Sequence, residues 1–223
     1  MPDSNENLAR TLTAITEVFN SPYKMAEEGA KWFISFGTLL WFIRDRLLNI
    51  PLNQDIDISL YYNSIPRDLL ITRMDEYGYQ LSGEVLNDVT RLPLQMSFSP
   101  RIPGLYPVDI DVFFWVLGKR YAWHTYDMDM VRKPILNKYV FKATPIEYFK
   151  ASTIRYVWEE IAPELYFPSR YGSLLDTWYP PLKNPEGGYI ENSGWMTRNP
   201  QYGQSKAALI KTLKTCSLIG NLE

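Results

Sequence analysis

The chain of 223 residues holds one cysteine and one histidine, and this scarcity removes several chemistries at the outset. Cys216 alone excludes an internal disulfide, cannot nucleate a thiolate zinc site, and fits a reducing compartment; on an amphipathic helix it is expected to pack. A lone His124 is expected to be packed or exposed rather than catalytic. No long basic run is present, and 23 Lys and Arg against 25 Asp and Glu leave a net charge of −2, so nucleic acid is not an expected partner. The polar start Met-Pro-Asp-Ser-Asn-Glu-Asn lacks a basic region followed by an apolar core, so no secretory signal is visible. The longest uncharged apolar run, Trp32 to Ile43 between Lys31 and Arg44, is too short to span a bilayer. The expectation is therefore a cytoplasmic protein without a transmembrane segment.

Nor is there an internal repeat, a low-complexity tract or a clear linker. One domain over 1–223 is expected, with N-terminal helices over 1–31, a core over 32–126 and a helical, loop-rich portion over 127–223. Aromatic residues, by contrast, are plentiful: 16 Tyr, 10 Phe and 7 Trp suit a well-packed core and a pocket that stacks a base or a sugar.

Hydrophobic periodicity places the elements. Leu8, Leu12, Ile15, Val18 and Phe19 form one helical stripe over 5–20, and Lys24 to Ala30 reads as a short helix. Trp32 to Phe36 reads as a buried strand, after which Gly37-Thr38 turns the chain into a helix reaching about Leu48. Asn49-Ile50-Pro51 ends it, because the residue before proline is disfavoured in the α region. A strand from Asp55 to Leu60 follows, then a helix opened by Pro66 and stopped by Gly78. Leu92, Leu94, Met96 and Phe98 alternate with Pro93, Gln95 and Ser97, as in an edge strand that tolerates proline. Val108 to Val116 reads as a strand covered on both sides, and Tyr121 to Tyr126 as a further one. Thr144-Pro145-Ile146-Glu147 has the form of a capping box and predicts a helix over 145–161. Ser169 caps a helix from Arg170 to about Thr177, 183–204 reads as a long loop, and Ala207 to Leu218 as a last helix.

The chemistry concentrates in acids that share a strand face. Side chains alternate along a strand, so Asp55, Asp57 and Ser59 point one way while Ile56, Ile58 and Leu60 point the other. Neighbouring carboxylates raise one another's pKa unless a positive charge lies between them, and a hard divalent cation with oxygen ligands is the usual occupant. Asp109 and Asp111 repeat the arrangement within an otherwise apolar strand, where carboxylates need partners. A glycine turn at a helix start, here Gly37-Thr38, lets backbone N–H groups approach a phosphate. Two aspartates on one strand and a third on its neighbour can hold one or two divalent ions that clamp nucleotide phosphates. Asp127-Met128-Asp129 is read as loop and helix capping.

The run from Gly37 to Ile58, G-T-L-L-x8-N-I-P-x-x-x-D-I-D-I, resembles the LicD/fukutin family of the nucleotidyltransferase superfamily. Gly37, Thr38, Leu39, Leu40, Arg44, Ile50, Pro51, Asp55, Ile56, Asp57 and Ile58 match its pattern. Ile110-Asp111-Val112-Phe113 is similar to its next signature, which makes Asp111 the third acid and Asp109 the runner-up. The stretch from Phe167 to Pro181, including Tyr171, Leu174, Leu175 and Tyr179, is similar to a softer C-terminal motif. Leu52-Asn53-Gln54 departs from the family's Trp-Asp-Asp, so an accessory acid is missing at Asn53 and Gln54, and Trp41 stands where Gly is usual.

The resemblance implies an α+β fold, a nucleotidyltransferase-like mixed β-sheet flanked by helices with a helical C-terminal portion. It implies a Mg²⁺- or Mn²⁺-dependent transferase with Asp55, Asp57 and Asp111 as metal ligands and Gly37, Thr38 and Arg44 at the donor phosphates. The implied reaction moves a phosphoryl-linked group, such as phosphocholine or a polyol phosphate, from a CDP-linked donor to a glycan hydroxyl. Three alternatives stay open: a nucleotidyltransferase for another small acceptor, a metal-dependent glycosyltransferase using Asp109-Ile110-Asp111 or Asp127-Met128-Asp129, and a non-catalytic relative that binds a glycan or a protein.

Overall fold

The structure is a computed structural model describing residues 4–20, 32–44, 55–62, 64–86, 93–117, 121–124, 141–142, 144–149, 151–155, 163–178 and 203–204. Five strands form a mixed sheet in the order β1-β2-β5-β4-β3: β1 (Trp32–Ile34), β2 (Ile56–Tyr61), β3 (Tyr79–Leu86), β4 (Pro93–Pro100) and β5 (Ile110–Leu117). Only β2 and β5 run parallel; every other neighbouring pair is antiparallel. β6 (Tyr121–His124) pairs with the far end of β5, and β8 (Thr144–Pro145) extends the sheet beyond β6. Helices and this mixed sheet give an α+β architecture.

Alternation along the strands divides the sheet into two faces. Ile56, Ile58 and Leu60 of β2, Ile110, Val112 and Phe114 of β5, and Leu94, Met96 and Phe98 of β4 are all buried. Onto this apolar face packs α1 (Ser4–Phe19), whose stripe of Leu8, Leu12, Ile15, Val18 and Phe19 is likewise buried. Buried Thr11 fixes the docking angle: its Oγ1 accepts hydrogen bonds from the Tyr79 hydroxyl and the Tyr106 N–H, each at 2.8 Å. Without them, two polar groups would be stranded in the core, at about 1–3 kcal/mol each.

α3 (Arg67–Glu76) buries Leu70 and Met74 and packs on β3 and α1. Its end is set by Gly78, which has φ +88°. The conformation favours glycine there, and a Cβ would also displace the exposed Ile102 side chain, from which it would lie 2.4 Å. At the opposite edge, Trp32 of β1 packs between Phe19, tilted against it, and Tyr166, edge-on, with ring centroids 5.4 Å from each, and its indole N–H donates to Asn20.

Several expectations change. β4 is an interior strand between β5 and β3, not an edge; Pro93 is tolerated because it is the first residue of the strand. β3 carries no clean alternation, being interrupted by a bulge between Leu81 and Gly83, and periodicity did not reveal it. The helix expected over 145–161 is instead one 3₁₀ turn, Ile146–Phe149, followed by β9 (Ala151–Arg155). β9 pairs with β10 (Glu164–Pro168), so the capping box lost to the β-branched Thr153 and Ile154 and the strand partner available to them. β10 packs beside β1. A helix does follow Ser169, α4 (Tyr171–Trp178), and a short bridge joins β7 (Phe141–Lys142) to β11 (Gly203–Gln204) within the segment expected as loop. The helix expected at Lys24 to Ala30, residues 45–48 of the second helix, and Ala207 to Leu218 lie outside the described residues, as do Asn53, Gln54, Asp127, Asp129 and Cys216.

Candidate functional site

The second sheet face is polar where β2, β5 and β4 lie side by side. In the parallel register Asp57 stands directly beside Asp111, and the pairing of Ile56 with Ile110 sets Asp55 beside Asp109 at the foot of the same strands. The Ile56 N–H donates to the Asp109 carbonyl at 2.8 Å and holds that lower rung. Adjacent strands lie about 4.8 Å apart, so four carboxylates from two strands occupy one small area. β4 completes the face with Gln95, Ser97 and Ser99, and Ser97 is the direct partner of Asp111.

The helix α2 (Phe36–Arg44) begins against this acid row. β1 continues one residue beyond its last strand position, where the Ser35 N–H donates to the Asp57 carbonyl at 3.0 Å. The chain then turns sharply into α2 through Phe36, whose φ of +41° is the left-handed conformation that side chains other than glycine adopt at a cost of order 1 kcal/mol. Ring packing offsets that cost: Phe36 meets Phe113 edge-on at 4.9 Å and stacks on Trp115 at 6.2 Å. Trp115 in turn donates its indole N–H to the Ser59 hydroxyl of β2.

Thr38 ties the helix to the acid strand. Its hydroxyl donates to the Asp55 carbonyl at 3.1 Å and accepts from the Asp57 N–H at 2.8 Å. Its own N–H donates to Asp57 Oδ2 at 3.2 Å, and the Gly37 N–H donates to the same carboxylate. Asp57 therefore caps α2 from a neighbouring strand, a favourable place for negative charge. Ser35, which occupies the local cap position, is left over: its Oγ is buried and is the only such side-chain atom without a hydrogen-bond partner among the described residues.

The electrostatics follow from this crowding. Burial, the neighbouring Asp111 and, less strongly, Asp55 push the Asp57 carboxyl well above the usual carboxylate range, against the lowering pull of the Thr38 and Gly37 N–H groups. Burial raises Asp111 to about 6, with Asp55 and Asp109 adding to it and hydrogen bonds from Ser97 and Gln95 opposing. Asp55, at the more exposed end of its strand, is raised by partial burial and by Asp109. Two adjacent carboxylates, both raised, favour retaining a proton until a positive charge arrives.

The donor set is wholly hard oxygen, the chemistry that suits Mg²⁺ or Mn²⁺. Asp55, Asp57 and Asp111 share that donor chemistry, one face and adjacent register. As their side chains stand, however, no group of three or more His, Cys, Asp or Glu among the described residues is placed to hold a metal ion. Asp57 is turned to the head of α2, Asp111 to Gln95 at 2.7 Å, and Asp109 to the Ser99 hydroxyl at 2.6 Å.

Of the residues singled out in the sequence, Asp55, Asp57, Asp111, Gly37 and Thr38 are brought together, as is Asp109. The N–H groups of Gly37 and Thr38 are engaged by Asp57, so a phosphate contact there would exchange one anion for another. Arg44 is the last residue of α2, eight residues from Phe36, and its side chain lies outside the described residues. His124 lies on β6, away from the acid rungs, and Tyr171 is exposed at the start of α4. Sequence reasoning missed the β4 contribution of Gln95, Ser97 and Ser99. The signal was present in their alternation with Leu94, Met96 and Phe98; what was absent was a reason to set β4 against β5.

No helix among the described residues is long and apolar enough to cross a membrane. Comparison with protein-family models finds none that matches the chain, and comparison with curated proteins finds no match either.

Proposed function

We propose that the chain is a divalent-cation-dependent transferase that moves a phosphoryl-linked group from a nucleotide-activated donor to a hydroxyl acceptor. The observation that carries this reading is the direct parallel pairing of Asp57 with Asp111 at the head of α2. Like charges placed side by side and partly buried oppose folding unless they serve a ligand. Asp57 and Asp111 would hold a Mg²⁺ or Mn²⁺ ion together with Asp55, and the bound ion would neutralise phosphate charge in an in-line displacement.

The other parts act around that ion. Thr38 holds the Asp55 and Asp57 backbone in register, so the two carboxylates keep their spacing. The dipole of α2 favours donor phosphates near Gly37 and Thr38. An acid of β5 accepts the proton of the attacking hydroxyl. The acceptor oxygen bonds to the distal phosphorus as the bond to the nucleoside monophosphate breaks, and that monophosphate leaves. The CDP-linked donor, a phosphocholine or polyol phosphate cargo and a glycan acceptor rest on the LicD/fukutin-like residues alone.

Calorimetry of CDP, CTP and UDP, each with and without Mg²⁺ or Mn²⁺, tests the proposal. Cation-dependent binding of a cytidine nucleotide, lost in Asp57→Asn, supports it. Uridine preference redirects it to a glycosyltransferase. A chain that binds no nucleotide with either cation is a non-catalytic binding module, and the transferase reading fails.

A further inference from the structure

Among the described residues, the side chains that donate hydrogen bonds to Asp111 come from β4. Its β2 neighbour is another acid, Asp57, whereas β4 presents two neutral donors to it: the Gln95 amide at 2.7 Å from Oδ2 and the Ser97 hydroxyl directly across the strand pair. Because an ionised carboxylate only accepts, the Gln95 amide must turn its NH₂ towards Asp111. β4 contains no charged residue, so the strand itself sets no cation against the carboxylate. An arginine or lysine here would orient Asp111 equally well but would neutralise it, weakening any cation bound to it.

We propose that Gln95 is a positioning residue for Asp111, fixing by an uncharged hydrogen bond which carboxylate oxygen is turned towards a divalent cation. The inference rests on the reading of Asp57 and Asp111 as cation ligands. It adds that the chain orients this ligand through the β4 amide while leaving its charge intact. Partners of this kind hold a metal ligand's rotamer, and their loss typically lowers metal affinity 10- to 100-fold.

The test is Mn²⁺ binding to the full chain without nucleotide, followed by electron paramagnetic resonance of the free ion and paired with thermal melting. Gln95→Met keeps the length and removes the donor; Ser97→Ala removes the second, smaller donor and serves if the first variant melts early. The expected result is Mn²⁺ binding weakened about tenfold in Gln95→Met, and less in Ser97→Ala, with melting unchanged in the absence of metal. If Gln95→Met or a folded Ser97→Ala binds Mn²⁺ as the parent does while Asp57→Asn and Asp111→Asn do not, the positioning role is overturned and the cation site stands. If the parent chain binds no Mn²⁺, or Asp57→Asn and Asp111→Asn bind it unimpaired, the cation reading itself fails and the inference with it.

Discussion

The two faces of one sheet, built from alternate residues of the same strands, contribute to folding with opposite sign. On one, Ile58, Val112, Met96 and Phe98 are buried against helices and supply the driving force. On the other, Asp111 is buried with the half-buried Asp57 beside it, and the pair opposes folding. Residues one position apart therefore serve different ends, and a strand that looked only for stability would not carry aspartate at 57 or 111.

Four substitutions sharpen or break that contrast. The largest effect is expected on the apolar face: Phe98→Ala, which empties a fully buried site at the centre of the core, should destabilise the chain by about 3–5 kcal/mol in chemical denaturation. Thr38→Val probes the seam between the faces. It strands the Asp57 N–H and the Asp55 carbonyl and should cost about 1–3 kcal/mol while also weakening cation binding, a pairing that calorimetry with Mn²⁺ checks.

On the acid face the sign reverses. Asp111 binds its proton more tightly folded than unfolded, so between the ordinary carboxylate range and about 6 the metal-free fold loses stability as pH rises. Asp111→Asn should flatten that slope and raise metal-free stability at pH 7 by about 1–2 kcal/mol, read from denaturation at pH 4.5 and 7, even as it abolishes cation binding. In the parent, Mn²⁺ should raise the melting temperature more at pH 7.5 than at pH 5. If Asp111→Asn is instead the less stable protein at pH 7, the opposition between the faces is wrong. The smallest effect belongs to neither face: Arg67 bridges Glu84 through two nitrogens at the exposed edge of β3, and Arg67→Ala should cost about 1 kcal/mol or less, diminishing with salt.

What the sequence disclosed tracks how local each signal was. The Asp-x-Asp strand and the helix stop at Gly78 depend on neighbours within a few residues and lie where periodicity and backbone preference put them, whereas the turn expected at Gly37-Thr38 is made one residue earlier, by Phe36, with Gly37 and Thr38 already inside α2. The conjunction of Asp57 with Asp111 is non-local, spanning 54 positions; the repeated acid-bearing strands already suggested it, and the family-like pattern favoured Asp111 over Asp109 as the third acid. Failures were also non-local. Residues 151–155 became a strand because β10 was there to pair with them, and β4 read as an edge strand because nothing local reveals which strands lie next to it. The residues outside the described set leave Arg44's side chain and the Asn53-Gln54 departure without a structural account.

The pairing of Asp57 with Asp111 has a consequence for how this chain can change length. One residue inserted into β5 just before Asp111 would reverse the facing of everything after it, sending the Asp111 carboxylate into the oily layer and bringing Val112 up onto the acid face beside Ser59. Two inserted residues would preserve the facing and merely slide it. Tolerance at this point should thus follow odd and even counts rather than size, a parity rule absent from the turn at Pro103-Gly104, where chain can be added without turning any strand over.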